Sequence, residues 1–186
     1  FKIYRETGQI FENSDFLIIT FTPKADLFSP ESLTTIRSLD QALGKLPSVE
    51  SVLTILDAPI FFQPKVPLAD LMDNLKTLET KGINLEAAKE EIINNPVYSE
   101  LIISPSGNTT AIQVTLSEHA QYRDLIQERY NLLEILAPTA EEKEELKGIN
   151  HQISQINDEE STQRAELIFE IREILSQRLK KISLFY

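Results

Sequence analysis

The sequence has no cysteine, which excludes a disulfide, a thiolate nucleophile and a zinc-thiolate centre. Glycine occurs only five times and never clusters, so no phosphate-cradling loop is encoded. Histidine is nearly absent. His119 and His151 each fall in a helical stretch without a second ligand type at metal spacing, which makes them surface or cap residues rather than a metal pair or a general base. No G-x-S-x-G elbow surrounds any serine, and Ser106-Gly107 belongs to a turn. Basic residues are outnumbered, 18 against 29 acidic, for a formal net charge of −11. A phosphate backbone or an anionic lipid surface requires the opposite balance, so nucleic acid is not an expected partner. No run approaches the roughly 18 apolar residues that span a bilayer, and the segment from Phe1 lacks the layout of a signal peptide. The chain therefore reads as soluble by itself. Starting on Phe1 and ending on the apolar run Ile182-Ser183-Leu184-Phe185-Tyr186, it reads as a piece of a longer protein.

What remains is an ordinary globular composition with clear local signals. Phe16-Leu17-Ile18-Ile19-Thr20-Phe21 is dense and β-branched, the pattern of a strand buried on both faces. Ser29 as N-cap, Pro30 at the first helical position, and Phe28 with Leu33 as a hydrophobic staple predict a helix start. Leu33, Ile36, Leu39, Leu43 and Leu46 supply its apolar face up to Pro47. Val49 to Leu56 reads as a second strand, completing a β-α-β unit over 15–56. Two short helices are expected over 68–80 and 84–94, separated by Lys81-Gly82 and ended by Pro96. Glu100 to Ser104 and Thr109 to Leu116 read as two strands around Pro105-Ser106-Gly107-Asn108, a hairpin turn by composition.

Beyond Glu118 the pattern is helical. Tyr122, Leu125, Ile126, Tyr130, Leu133 and Leu136 recur at helical spacing up to Ala137-Pro138, and Thr139 with Glu142 makes a capping box. Leu146, Ile149, Ile153 and Ile156 then alternate steps of three and four, a coiled-coil seam. That seam is either closed within the chain or open to a second subunit. The helix either runs on to Ile182 or pauses in the polar stretch 157–163. The densest charge run, Glu141-Glu142-Lys143-Glu144-Glu145, reads as a solvated helix face.

These elements predict an α+β domain of the ferredoxin-like β-α-β-β-α-β arrangement over 1–117 and 161–186. It carries two inserted short helices, with an inserted antiparallel helical hairpin over 118–160. No cofactor and no enzymatic centre are expected. The one local feature with a binding character is the proline-punctuated loop 57–67, where Ile60, Phe61 and Phe62, with Met72 nearby, either line a lipophilic path or dock a partner. The alternative is that the aromatic pair packs beneath the short helices, against Leu71, Met72 and Leu75.

Several stretches carry a family resemblance. Ser14-Asp15-Phe16-Leu17-Ile18-Ile19, Asp26-Leu27-Phe28-Ser29-Pro30-Glu31 and Leu46-Pro47-Ser48-Val49-Glu50-Ser51-Val52 resemble the first extracytoplasmic domain of resistance-nodulation-division (RND) exporters. The similarity is to the branch holding the mycobacterial large membrane proteins and hopanoid exporters. Asn95-Pro96-Val97-Tyr98 through Leu101-Ile102-Ile103-Ser104, Gly107 and Ala111-Ile112-Gln113-Val114 resemble the hairpin of the family's second half-domain. The resemblance covers 10–116 and, more loosely, the final helix, and its motifs mark packing and turns. It implies a domain between transmembrane helices of the same parent chain, on the periplasmic face of the inner membrane, in a proton-driven exporter of lipids or other hydrophobic cargo. The proton-carrying residues of that family lie in membrane helices, so none transfers to this chain. The long hairpin departs from the minimal porter domain and is a candidate element for docking or self-association. The competing expectation is a non-enzymatic scaffold that recruits a partner through that hairpin.

Overall fold

The computed structural model describes residues 15–61, 75–117 and 120–178. They form a mixed α+β chain with a three-stranded antiparallel sheet and four α-helices. The elements are β1 (Phe16–Phe21), α1 (Pro30–Leu43), β2 (Val49–Leu53), α2 (Leu85–Asn94), β3 (Thr110–Leu116), α3 (Ala120–Leu133) and α4 (Ala140–Arg178). Two compact units emerge. A sheet unit holds Phe16–Leu116 and the end of α4 from Ile171, and a helical unit holds Ser117–Glu170 with Asp15.

In the sheet unit the strand order is β1-β3-β2. β3 runs antiparallel to both neighbours, in register from Phe16 opposite Thr115 to Phe21 opposite Thr110, and from Val49 opposite Leu116 to Leu53 opposite Gln113. β1 and β2 are thus parallel to each other with β3 between them, a β-α-β connection split by a third strand. α1 forms where its signals lie. The Ser29 side chain accepts the Ser32 N–H at 3.2 Å, Pro30 occupies the first turn, and the staple residues Phe28 and Leu33 are both buried. The helix stops at Gly44, before Leu46. Leu33, Ile36, Leu39 and Leu43 are buried, as are Ile19 and Phe21 of β1 and Ile112, Val114 and Leu116 of β3. Lys89 of α2 bonds the Asp26 carboxylate at 2.6 Å and lies over the Phe28 ring, tying α2 to the entrance of α1. The same bond, with the Phe28 N–H, holds the Asp26 carboxyl below its usual range. Arg37 grips Glu79 through two nitrogens. Arg178 donates to the Ser38 carbonyl at 3.0 Å, anchoring the last turn of α4 on α1, with Ile171 and Leu175 buried.

Four sequence expectations are corrected here. The β1 run is not buried on both faces: Ile19 and Phe21 point into the core, whereas Phe16 and Ile18 are exposed. β2 ends at Leu53, because the Thr54 side chain and Asp57 form a capping box that starts a single 3₁₀ turn, Ile55–Asp57. The stretch 100–104 is not a strand. The N–H groups of Leu101, Ile102 and Ile103 all return to the Tyr98 carbonyl, Glu100 sits at φ 70°, and only Ile103 bridges to Thr110. The expected helix over 68–80 falls largely outside the described residues, and its described end, 75–80, is not helical. Lys76 there bridges to Ile60, while the Thr80 hydroxyl accepts the Thr77 N–H, a local bond that competes with helix geometry.

The helical unit follows its pattern. Thr139 and Glu142 make the reciprocal capping box, with the Thr139 N–H donating to Glu142 Oε2 at 2.6 Å and the Glu142 N–H to Thr139 Oγ1 at 3.2 Å. The Thr139 N–H, and secondly the Thr139 hydroxyl that donates to the same oxygen at 2.9 Å, hold the Glu142 carboxyl below its usual range. α3 closes the seam within the chain: Leu125, Ile149, Ile153 and Ile156 form one buried cluster with Tyr122, Ile126 and Leu132 against it. The six-residue connection makes the pair antiparallel. α4 is one helix of 39 residues that passes through 157–163 without interruption, since that stretch is polar but holds no glycine or proline. The sequence pattern puts the end of the insertion at 160, whereas the units divide after Glu170.

Candidate ligand groove on the open sheet face

The alternation of β1 decides where a site can form. Residues of one parity enter the core, and those of the other cross the opposite face in rows. In one such row Gln113 of β3 stands opposite Ile18 of β1 and Leu53 of β2. Ala111 follows one step along β3. The chain after α2 turns over this face. The Asn95 side chain accepts the Val97 N–H at 2.9 Å, and the Asn95 carbonyl accepts the N–H groups of Tyr98 and Ser99. The buried Tyr98 ring is locked by its hydroxyl, which donates to the Pro59 carbonyl at 2.7 Å. Burial, and secondarily the Glu91 charge, push that hydroxyl above its ordinary pKa. Thr110 Oγ1 and the Ala111 N–H both donate to the Ile102 carbonyl, at 2.8 and 2.9 Å, which clamps the turn to the start of β3.

Between this turn and the sheet lies a groove of about 410 Å³, inside the roughly 300–1,000 Å³ range of small-ligand sites. Its apolar walls are exposed side chains: Ile18 at 44%, Leu53 at 50%, Val97 at 62% and Leu101 at 71%. Exposed apolar residues scattered singly mean little, but four converging on one concave surface mark a binding surface. Four residues with polar side chains also line it, Thr54, Asp57, Tyr98 and Gln113. Asp57 already accepts the Thr54 N–H at 2.8 Å and its hydroxyl at 3.0 Å. Nearby on α1, burial and then the charges of Asp57 and Glu79 raise the Asp40 carboxyl above its usual range. The arrangement is suited to holding an apolar molecule that carries a hydrogen-bonding group.

The residues singled out from sequence lie elsewhere. Ile60 is buried, with its N–H on the Lys76 carbonyl at 2.7 Å. Phe61 is half-buried, its N–H donating to Glu91 Oε1 at 2.6 Å, beside a shallow depression along α2. Phe62 and Met72 lie outside the described residues, as does His119. His151 is exposed on α4. Among the described residues no group of three or more His, Cys, Asp or Glu could hold a metal ion, and no helix is long and apolar enough to cross a membrane. Sequence reasoning missed Ile18, Leu53, Val97 and Leu101. The available signal was the surplus of apolar residues in β1 over what a one-faced strand needs.

No protein-family model, curated protein or solved structure gives a significant match to the chain.

Proposed function

We propose that this chain is the extracytoplasmic, porter-like domain of an RND-type exporter and that its open sheet face forms part of the path for lipid or other hydrophobic cargo. The domain performs no chemistry on this reading. It holds cargo transiently while transmembrane helices of the same parent chain, on the inner membrane, supply the proton-driven conformational cycle. The groove carries the proposal, because four exposed apolar side chains, Ile18, Leu53, Val97 and Leu101, converge there. The strand order β1-β3-β2 with its split crossover supports it further: this is the order of three of the four strands in a ferredoxin-like sheet, the architecture that the family resemblance implies.

Sequencing the parent gene on both sides of this segment tests the assignment. The expected result is a membrane-spanning apolar run shortly before Phe1 and several more after Tyr186. Polar flanks on both sides would overturn the exporter reading and leave the groove as a ligand site of a different protein class.

A further inference from the structure

Among the described residues, a second cluster of exposed apolar side chains lies at the loop end of the helical unit. Leu133, the last residue of α3, is 54% exposed, and Leu136 in the connection is fully exposed. Neither joins the seam, which is filled by Leu125, Ile149, Ile153 and Ile156. A leucine held wholly in water, as Leu136 is, contributes nothing to folding, and it stands three positions from the half-exposed Leu133, with the half-exposed Tyr130 three positions further back.

The surrounding charge is one-sided. Between Glu128 and Glu145 the sequence has six glutamates and two cations, Arg129 and Lys143. Glu142 is committed to the Thr139 cap and Glu144 to an ion pair with Lys147 at 3.0 Å, while Glu141 and Glu145 are exposed on the first turns of α4. The opposed ends of the two antiparallel helices cancel as dipoles, so the side chains set the local potential. A second copy of this chain would bring the same acidic rim to the contact, and an anionic bilayer would be repelled.

We infer that the loop end of the α3–α4 hairpin docks a cationic amphipathic segment of a partner protein, with Leu133 and Leu136 against its apolar stripe and Glu141 and Glu145 opposite its lysines or arginines. This is helix recognition with acidic flanks, in which buried leucines supply affinity and the charges supply orientation and encounter rate. It stands independently of the exporter assignment and of the sheet-face groove.

The test uses the 186-residue chain, which contains no tryptophan. A synthetic lysine–leucine amphipathic peptide bearing one tryptophan therefore reports its own binding by a blue shift in emission. Saturable binding is expected, weakened at least about tenfold by Leu133→Ser with Leu136→Ser, and weakened by Glu141→Gln with Glu145→Gln or by high salt. Leu53→Ser in the groove should leave it unchanged. An unaltered thermal midpoint establishes that the paired serine variant is folded. Absence of binding by the wild-type chain would overturn the inference, as would equal binding by the leucine variants or equal binding of a peptide with glutamate in place of lysine. So would co-sedimentation with neutral phosphatidylcholine vesicles, or a dimer, that depends on Leu133 and Leu136 in place of peptide binding.

Discussion

Gly107→Ala is expected to destabilise the sheet unit by about 2–3 kcal/mol, while Gly82→Ala costs only about 1 kcal/mol. Both glycines have positive φ, 68° and 79°, so both substitutions incur the left-handed penalty of an L side chain. They differ in what the new methyl would meet. At Gly82 nothing lies within 4 Å, but at Gly107 the added carbon would stand 2.5 Å from Ile93 Cδ1 and 3.2 Å from Ile93 Cγ1. Ile93 lies on α2, so this glycine lets the turn before β3 close against the helix. Relief requires Ile93 to leave its rotamer, which adds about 0.5–1.5 kcal/mol. Urea unfolding of both variants, and of Gly107→Ala in an Ile93→Ala background, separates the two contributions. Equal losses at the two glycines would show that the turn does not depend on this close approach.

The second large effect distinguishes the two faces of the sheet. Ile112→Ala removes a fully buried side chain from the central strand, opposite buried Ile19, and should cost about 3–4 kcal/mol, as cavity-forming core truncations do. Ile18→Ala makes the same chemical change on the opposite face, one row away, and should cost less than about 1 kcal/mol because Ile18 already contacts water. Equilibrium unfolding measures both. A large loss from Ile18→Ala would mean that the face bearing the groove is a packed interface, which contradicts its role as a ligand surface.

That contrast also explains which parts of the structure were legible in the sequence. α1 and α4 were readable because their caps involve residues three apart: Ser29 with Ser32, and Thr139 with Glu142. The α3–α4 pairing was readable because Ile149, Ile153 and Ile156 keep a seam spacing that only another helix can satisfy. Burial of β1 was not. A continuous apolar run describes a strand covered on both sides equally well as one with a core face and an apolar ligand face, and only the tertiary arrangement separates them. The stretch Glu100-Leu101-Ile102-Ile103 has strand composition, yet the amides of Leu101, Ile102 and Ile103 converge on the single Tyr98 carbonyl. The buried tyrosine, fixed to Pro59 across 39 positions of sequence, overrides local propensity. The groove was invisible for the same reason: β1, β2, β3 and the turn after α2 each contribute to it, and no one segment carries its pattern.

The central claim is that the open sheet face accepts an apolar molecule. Titration of the chain with the uncharged fluorophore phenyl-naphthylamine, whose emission rises in apolar surroundings, tests it most directly. The account predicts saturable binding, an affinity loss of at least about tenfold in Leu53→Asp with Leu101→Asp, since a carboxylate cannot be desolvated against an apolar ligand, and no change in Leu133→Ser with Leu136→Ser. Binding that ignores Leu53 and Leu101, or no binding at all, would contradict it.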